Sequence, residues 1–227
     1  FDATEEDLAS VAVKNHDNGI SNPKAHLRKK ITIDDVMNSA VVASPLKLFD
    51  CCPFSDGASS VVICNEQFAK DHSKDYVKVI GSGRGGSPAA LQGRDHLTTI
   101  PSTRIAAADA YKMAGITAKD VDFAEVHDCF TVAEVVDTED LGFFEKGTGA
   151  KAARQGETKL NGSIPINPSG GLKSKGHPIG ATGVGQVVEV FEQLTGKSGE
   201  RTVNDAKTGL TQNFGATGAS CAVHIFQ

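Results

Sequence analysis

The apolar positions of this chain follow two periods, one typical of helices and one typical of strands. Thr4 precedes three acidic residues and an apolar series with helical spacing, which predicts a capped helix that ends near Asn18. Further helices are predicted after Thr32, Ser102 and Thr131. Strands are predicted over 76–80, 121–126, 164–166, 208–213 and 219–226, the last two forming a hairpin. Strands that alternate with helices indicate an α/β fold.

The most distinctive stretch of the chain runs from Gly170 to Gly183. Two glycines lead into a loop in which His177 is held between a glycine and Pro178, and a proline suits the start of a helix. We expect that helix to extend to about Leu194. Its glycines each cost about 1 kcal/mol relative to alanine, so we expect close neighbours and an interior position. His177 is therefore interpreted as a site residue, the alternative being a loop histidine that bonds a carbonyl.

Three further segments have less distinctive patterns. The apolar run from Ala58 to Cys64 predicts a buried strand. The glycines from Gly81 to Gly86 match the dinucleotide fingerprint, but no helix follows at once, so a flexible turn is predicted instead. The basic cluster from Lys24 to Lys30 is either a solvated face or a clamp for a phosphate-bearing ligand.

Composition narrows the class of protein. The chain has 227 residues, 39% of them hydrophobic, and a net charge of −5. Basic residues are not interleaved with aromatic ones, so we expect no nucleic-acid partner. No apolar run reaches the ~20 residues of a membrane span. The odd number of cysteines and the absence of Cys-x-x-Cys spacing predict reduced thiols in a cytoplasmic compartment and no metal site. The cysteines are Cys51, Cys52, Cys64, Cys129 and Cys221.

Reactive residues fall on three loops that follow or link predicted strands. These are His127 with Cys129, His177, and the turn from Asn213 to Gly215. The carboxyl ends of strands in a parallel-leaning sheet meet at one edge, so we expect the three loops to converge. Because a nearby imidazole lowers the pKa of a thiol, cysteine and histidine together favour thiolate chemistry.

Together these motifs resemble the thiolase superfamily. They are His127-Asp128-Cys129-Phe130, then Gly176-His177-Pro178-x-Gly180-x-Thr182-Gly183, then Asn213-x-Gly215-x-x-Gly218. The resemblance covers essentially the whole chain. It is nearest to the sterol-carrier-protein-type thiolases and the related archaeal and bacterial acetyl-CoA acetyltransferases. It implies α/β/α/β/α layers built from two βαβαβαββ halves, with 1–72 as the end of the first half plus part of its loop domain and 73–227 as the C-terminal domain.

The resemblance also implies catalytic roles. His177 resembles the histidine that activates a nucleophilic cysteine, and His127 the residue that helps to bind a thioester oxyanion. Cys129 resembles the acid/base that moves the α-proton, and the amide of Gly215 an oxyanion donor. Many thiolases carry a cysteine where this chain has Asn213, a departure that fits an acid/base role for Cys129.

For substrate contacts, the resemblance points to Cys52, Ser169 and Gly170 beside coenzyme A. Acyl-CoA is then the substrate, with no tightly bound cofactor. The acyl-carrying cysteine of the family would lie upstream of Phe1, so we expect a fragment that shows no turnover by itself. A homo-oligomer, a missing N-terminal half or a partner subunit is expected to cover its exposed surface.

The implied activity is that of an acyl-CoA C-acyltransferase, by thiolysis of a 3-ketoacyl-CoA or by Claisen condensation. The peroxisomal matrix is an alternative compartment if the source is eukaryotic. An incomplete fragment or accessory subunit that keeps the fold and a coenzyme A surface is the alternative function. Retro-aldolases and hydroxymethylglutaryl-CoA synthases are relatives, and the pair Cys129 and His177 favours a thiolase over both. A dinucleotide-binding protein is the least favoured alternative.

Overall fold

The computed structural model describes all 227 residues. The helices are α1 (Glu5–Ile20), α2 (Ile33–Met37), α3 (Glu66–His72), α4 (Pro101–Ala114), α5 (Thr131–Asp140), α6 (Gly149–Gln155), α7 (Gly171–Ser174) and α8 (Thr182–Leu194). The strands are β1 (Val41–Ala43), β2 (Leu46–Lys47), β3 (Val79–Gly86), β4 (Phe123–Glu125), β5 (Gly209–Gly215) and β6 (Ser220–Phe226). No helix combines the length and the apolar character needed to cross a membrane.

A four-stranded mixed sheet with the order β3-β6-β5-β4 forms the centre of the molecule. β5 and β6 form the predicted antiparallel hairpin, and β4 lies parallel to β5. The predicted strand over 164–166 is reduced to one parallel bridge, between Ala124 and Ile166. Helices cover both faces of this sheet, which confirms the α/β class.

Helix starts follow the sequence signals closely. In α1, Thr4 Oγ1 accepts a hydrogen bond from the N–H of Asp7, and the Asp7 carboxylate accepts one from the N–H of Thr4. Thr32 and Asp35 repeat this capping box at α2. α4 begins at Pro101 rather than after Ser102, because proline suits the first helical turn, and it ends at Gly115, a glycine in the left-handed conformation.

The glycine run after Ile80 is a strand, so the prediction of a flexible turn was wrong. Alternate glycines of β3 face α4, and a Cβ built on Gly83 would lie only 2.0 Å from the carbonyl oxygen of Ala106. Gly81 and Gly85 approach the same helix backbone as closely, with Cβ distances of 2.5 and 2.0 Å. Glycine therefore serves close helix–sheet packing here, and the segment does not form a dinucleotide-binding loop.

Helix α8 packs on the opposite face of the sheet. A Cβ on Gly209 of β5 would lie 2.9 Å from a side-chain carbon of Val190, so this glycine also allows a close approach. Val190 and Gln186 are fully buried, whereas Val184 and Val188 remain half-buried. Within this chain, one face of α8 is therefore buried as expected, and the other face is only partly covered.

The segment from Ala58 to Cys64 is not a strand and is not buried, so that prediction was also wrong. Val62 and Ile63 are 90% and 87% exposed. Apolar composition favours a strand only where a neighbouring strand can pair with it, and no strand of this chain does so. The domain boundary near residue 72 stays a prediction.

Packing of β3 against α4 leads to a stability prediction. Gly83→Ala should lower the free energy of unfolding by about 1–3 kcal/mol, because the added methyl group forces strand and helix apart. Gly86→Ala in the same strand is the matched control, since its nearest neighbour would lie 3.9 Å away. Urea unfolding of both variants measures the difference, and equal stabilities would contradict the packing argument.

Candidate active site

His127 lies at the carboxyl end of β4 and is 7% exposed. Its backbone N–H donates to Gln212 Oε1 at 2.9 Å, and Gln212 Nε2 donates to Asp137 Oδ1 at 2.8 Å. The imidazole packs against Phe214, with ring centroids 4.5 Å apart, and its Nδ1 contacts Asn213 Oδ1. Both the backbone and the ring of His127 are therefore held by β5.

His177 lies between α7 and α8, and its ring meets that of His127 edge to face at 5.0 Å. His177 Nδ1 is 2.7 Å from Thr182 Oγ1, and this hydroxyl donates to the carbonyl of Pro178 at 3.1 Å. A hydroxyl has one proton to donate, so Thr182 accepts from Nδ1–H of the histidine. In the neutral ring, His177 Nε2 then carries the lone pair and can act as a base.

Both rings are kept neutral by their surroundings. Burial lowers the pKa of His127 to about 4, with a further contribution from the neighbouring His177. Burial also lowers the pKa of His177, assisted by the positive charge of Lys175. Near pH 7 each imidazole thus has one proton and one lone pair.

Cys129 lies two residues beyond His127 and is half-buried. Its carbonyl accepts a hydrogen bond from the N–H of Cys52 at 3.0 Å, and Cys51 pairs with Phe130 in an antiparallel bridge. Burial raises the pKa of Cys129 to about 12, and that of Cys52 to about 11. At neutral pH Cys129 is therefore a thiol, able to give a proton rather than to take one.

An open cleft of about 350 Å³ lies against His177 and is lined by Phe54, Ser55, Asp56, His177 and Ile179. The backbone at Phe54 pairs with His177 in a parallel bridge, so the segment that begins at the two cysteines also forms this wall. The structure thus brings together His127, His177 and Asn213, and places Cys52 opposite Cys129. No three His, Cys, Asp or Glu side chains come together as they would around a metal ion.

Three other predicted site residues, Gly215, Ser169 and Gly170, make contacts within the protein. Gly215 ends β5 in an exposed turn, where its carbonyl accepts from the N–H groups of Gly218 and Ala219 at 3.0 Å. Ser169 is fully buried and its hydroxyl donates to Glu125 at 2.7 Å. Gly170 is buried against Gly19. These contacts are internal to the protein, so a role of Ser169 and Gly170 in binding coenzyme A stays a prediction.

Sequence reasoning missed Asp128, whose side chain connects the two histidine loops. Its carboxylate accepts hydrogen bonds from the N–H of Leu172 at 2.7 Å, from the N–H of Lys173 at 3.3 Å, and from Asn15 Nδ2 at 2.8 Å. Burial, then the charge of Glu134, raises the pKa of Asp128 to about 6. Because α7 leads directly to His177, Asp128 fixes the loop of His127 relative to that of His177.

A buried ion pair extends this connection to α1. Lys14 Nζ lies 2.6 Å from Glu134 Oε1 and donates to the carbonyl of Ile166 at 2.8 Å. Glu134 Oε2 also accepts from Asn15 and Asn167, at 2.7 and 2.8 Å. The signal was present in the sequence, since Lys14 and Asn15 share the helical face of Val11.

The ion pair leads to a second stability prediction. Lys14→Met should lower the free energy of unfolding by about 3–5 kcal/mol, because it leaves Glu134 buried without its cation. Lys70→Met is the control, since Lys70 forms an exposed pair with Glu66 that should contribute little to stability. Urea unfolding tests both variants, and a Lys14 variant as stable as the control would refute the inferred role.

Thiol labelling tests the state of Cys129. Iodoacetamide should modify the exposed Cys64 first and Cys129 much more slowly, because only the thiolate reacts. The rate at Cys129 should rise by roughly tenfold per pH unit through pH 9, since a raised pKa leaves the thiolate a small fraction throughout. Peptide mass spectrometry measures both rates. A plateau at Cys129 near neutral pH would show a lowered pKa instead.

Comparisons with known proteins identify the family of the chain. The profile of the "Thiolase C-terminal domain-like" family matches residues 83–227. The chain is 47% identical to an acetyl-CoA acetyltransferase of Methanothermobacter thermautotrophicus, covering all of this chain and 59% of that protein. It is 35% identical to sterol carrier protein 2 of Bos taurus, covering 96% of this chain and 41% of that one.

Among solved structures, the "Ltp2-ChsH2(DUF35) aldolase" superposes with a TM-score of 0.88 at 26% identity, over 99% of this chain and 58% of the other. The chain thus spans between two fifths and three fifths of the length of these relatives. On the family profile and the identity together, the chain belongs to the thiolase family.

Proposed function

We propose that this chain carries part of the active site of an acyl-CoA C-acyltransferase. The reaction is thiolysis of a 3-ketoacyl-CoA or, in reverse, Claisen condensation. The observation that carries the proposal is the contact between two neutral imidazoles, His127 and His177. His177 lines an open cleft, and Cys129 lies on the same loop as His127. The relative named acetyl-CoA acetyltransferase supports this class of reaction.

The site residues divide the proton transfers between them. His177 Nε2 accepts the proton of a thiol, which leaves a thiolate nucleophile and an imidazolium. In thiolysis, cleavage of the Cα–Cβ bond leaves an enolate on the departing thioester. The thiol of Cys129 then protonates its α-carbon and becomes a thiolate. In condensation the same thiolate removes the α-proton, and its raised pKa makes it a strong base.

The acyl-carrying thiol is proposed to come from outside this chain. None of its five cysteines is proposed for that role. Cys221 is buried in β6, Cys64 is exposed on an unpaired segment, and Cys129 handles the α-proton. Burial raises the pKa of Cys51 and Cys52, which disfavours a thiolate nucleophile at either residue. The thiol would come from the rest of a longer protein or from a partner subunit. A DUF35 protein is one candidate partner, as the name of the similar aldolase indicates for that complex.

The basic cluster at residues 24–30 is proposed to bind the phosphates of coenzyme A. Lys24, Arg28, Lys29 and Lys30 are exposed. His26 in the middle of the cluster bonds through Nδ1 to Ser55 Oγ at 2.9 Å, and Ser55 lines the cleft. Positive charge therefore begins at the rim of the cleft, where a phosphate-bearing substrate would enter.

Two alternatives remain within the family. The chain could be an accessory subunit that keeps the fold, or it could belong to an aldolase like the similar solved complex. An acid/base such as Cys129 serves the α-carbon in either reaction, because both pass through an enolate. The need for a second substrate separates the two reactions, since thiolysis consumes free coenzyme A and a retro-aldol cleavage does not.

A kinetic experiment tests the proposal in the protein isolated with any associated subunits. Acetoacetyl-CoA should undergo repeated turnover only when free coenzyme A is present. In the condensation direction, Cys129→Ala should lower carbon–carbon bond formation by at least about 10²-fold while acyl transfer from acetyl-CoA to the nucleophile stays measurable, and His177→Ala should slow acylation itself.

Cys64→Ala serves as the matched control, because Cys64 is exposed and distant in sequence from the three site loops. Cleavage of a 3-hydroxyacyl-CoA without free coenzyme A, with acetoacetyl-CoA left intact, would favour the aldolase. An active complex unaffected by both site variants would identify this chain as an accessory subunit.

A further inference from the structure

The side chain of Asn213 is the polar group that faces the ring of His127. Asn213 Oδ1 contacts His127 Nδ1. A carboxamide oxygen can only accept a hydrogen bond, so Nδ1 has to carry a proton in this contact. Because burial keeps the imidazole neutral, Nε2 then holds the lone pair.

Helix α8 accommodates the other half of the Asn213 amide. A Cβ built on Gly183 would lie 2.6 Å from Asn213 Nδ2 and 3.7 Å from Cγ. Glycine at this position leaves the space that the amide nitrogen occupies, so the nitrogen lies against the start of α8 while the oxygen lies against His127. Gly183, in the first turn of α8, therefore also leaves room for the side chain of Asn213.

We propose that Asn213 is a positioning residue that selects the Nδ1-protonated tautomer of His127, so that Nε2 enters the reaction as an acceptor. Thr182 has the corresponding effect on His177, because its hydroxyl proton is committed to the carbonyl of Pro178. Two unrelated side chains thus leave the two imidazoles with the same protonation pattern.

The consequence for the reaction rests on the proposed function. The resemblance implies that His127 donates to a thioester oxygen, and the neutral tautomer set by Asn213 has no proton on Nε2 to donate. His127 can therefore donate from Nε2 only as an imidazolium, after Nε2 has taken the proton that His177 accepted from the thiol. The N–H bond on His177 breaks as the N–H bond on His127 forms, which returns His177 to its neutral form. The imidazolium then donates from Nε2, while Asn213 Oδ1 continues to accept from Nδ1–H.

Nuclear magnetic resonance of protein labelled with ¹⁵N-histidine tests the tautomer directly. Two-bond ¹H–¹⁵N correlations distinguish a protonated Nδ1 from a protonated Nε2, and His127→Gln assigns the signal. At pH 7 His127 should show a protonated Nδ1. His16 provides an internal reference, because its Nδ1 lies 3.1 Å from the backbone carbonyl of Lys29, which cannot reverse as an amide can.

Substitutions of Asn213 separate tautomer selection from packing. Asn213→Asp keeps an acceptor and should keep the tautomer. Asn213→Leu has a similar volume but no acceptor and should lose the preference, shifting His127 towards protonation at Nε2, while the His16 signal stays unchanged. Asn213→Ser, whose hydroxyl is too short to reach the ring, should show the same loss and replaces the leucine variant if that one fails to fold.

A wild-type His127 protonated at Nε2 would overturn the inference, as would leucine or serine variants that retain the wild-type tautomer. The measurement needs no turnover, so it is separable from the kinetic test. A negative thiolysis assay with a protonated Nδ1 refutes the proposed function and leaves the role of Asn213 standing.

Discussion

The carboxylate of Asp128 connects three parts of the molecule that are distant in the chain. It lies between His127 and Cys129 in sequence, and it binds the first turn of the segment that leads to His177 as well as Asn15 of α1. A buried carboxylate without partners would cost several kcal/mol, so these hydrogen bonds are required for the fold as well as for the site. Three elements, of which α1 lies more than 100 residues before the other two, are thereby held to one geometry.

One physical cause sets the protonation of the whole site. Burial disfavours charge, which lowers the pKa of both imidazoles and raises the pKa of Cys129 and Cys52. All four groups are neutral near pH 7. A site of this kind holds protons ready for transfer and develops charge only as the reaction proceeds, when the fixed polar groups around it can stabilise that charge.

Glycines serve a common purpose in the two faces of the sheet. Those of β3 allow α4 to approach one face, and Gly209 and Gly183 allow α8 to approach the other. The approach of α8 to the sheet also determines the geometry of the site, because it brings the start of α8, with Thr182 on it, next to His127 and Asn213. Close packing and site geometry therefore depend on the same small residues.

Much of this protein could be predicted from its sequence, and the successes share a cause. Capping boxes at Thr4 and Thr32 and the hairpin of β5 and β6 follow from signals within a few residues of each feature. Local hydrogen bonding and turn chemistry fix such features, so short stretches of sequence determine them. The thiolase motifs are of the same local kind, which is why they indicated the family.

Tertiary structure alone decided the rest. The glycines of β3 became a strand because a helix packs against them, and residues 58–64 stayed exposed because no strand of the chain pairs with them. The role of Asp128, the pairing of Lys14 with Glu134 and the raised pKa of Cys129 depend on burial and on partners distant in the chain. Free energies of that kind arise only once the chain has folded, because desolvation and long-range contacts do not exist in a local stretch of sequence.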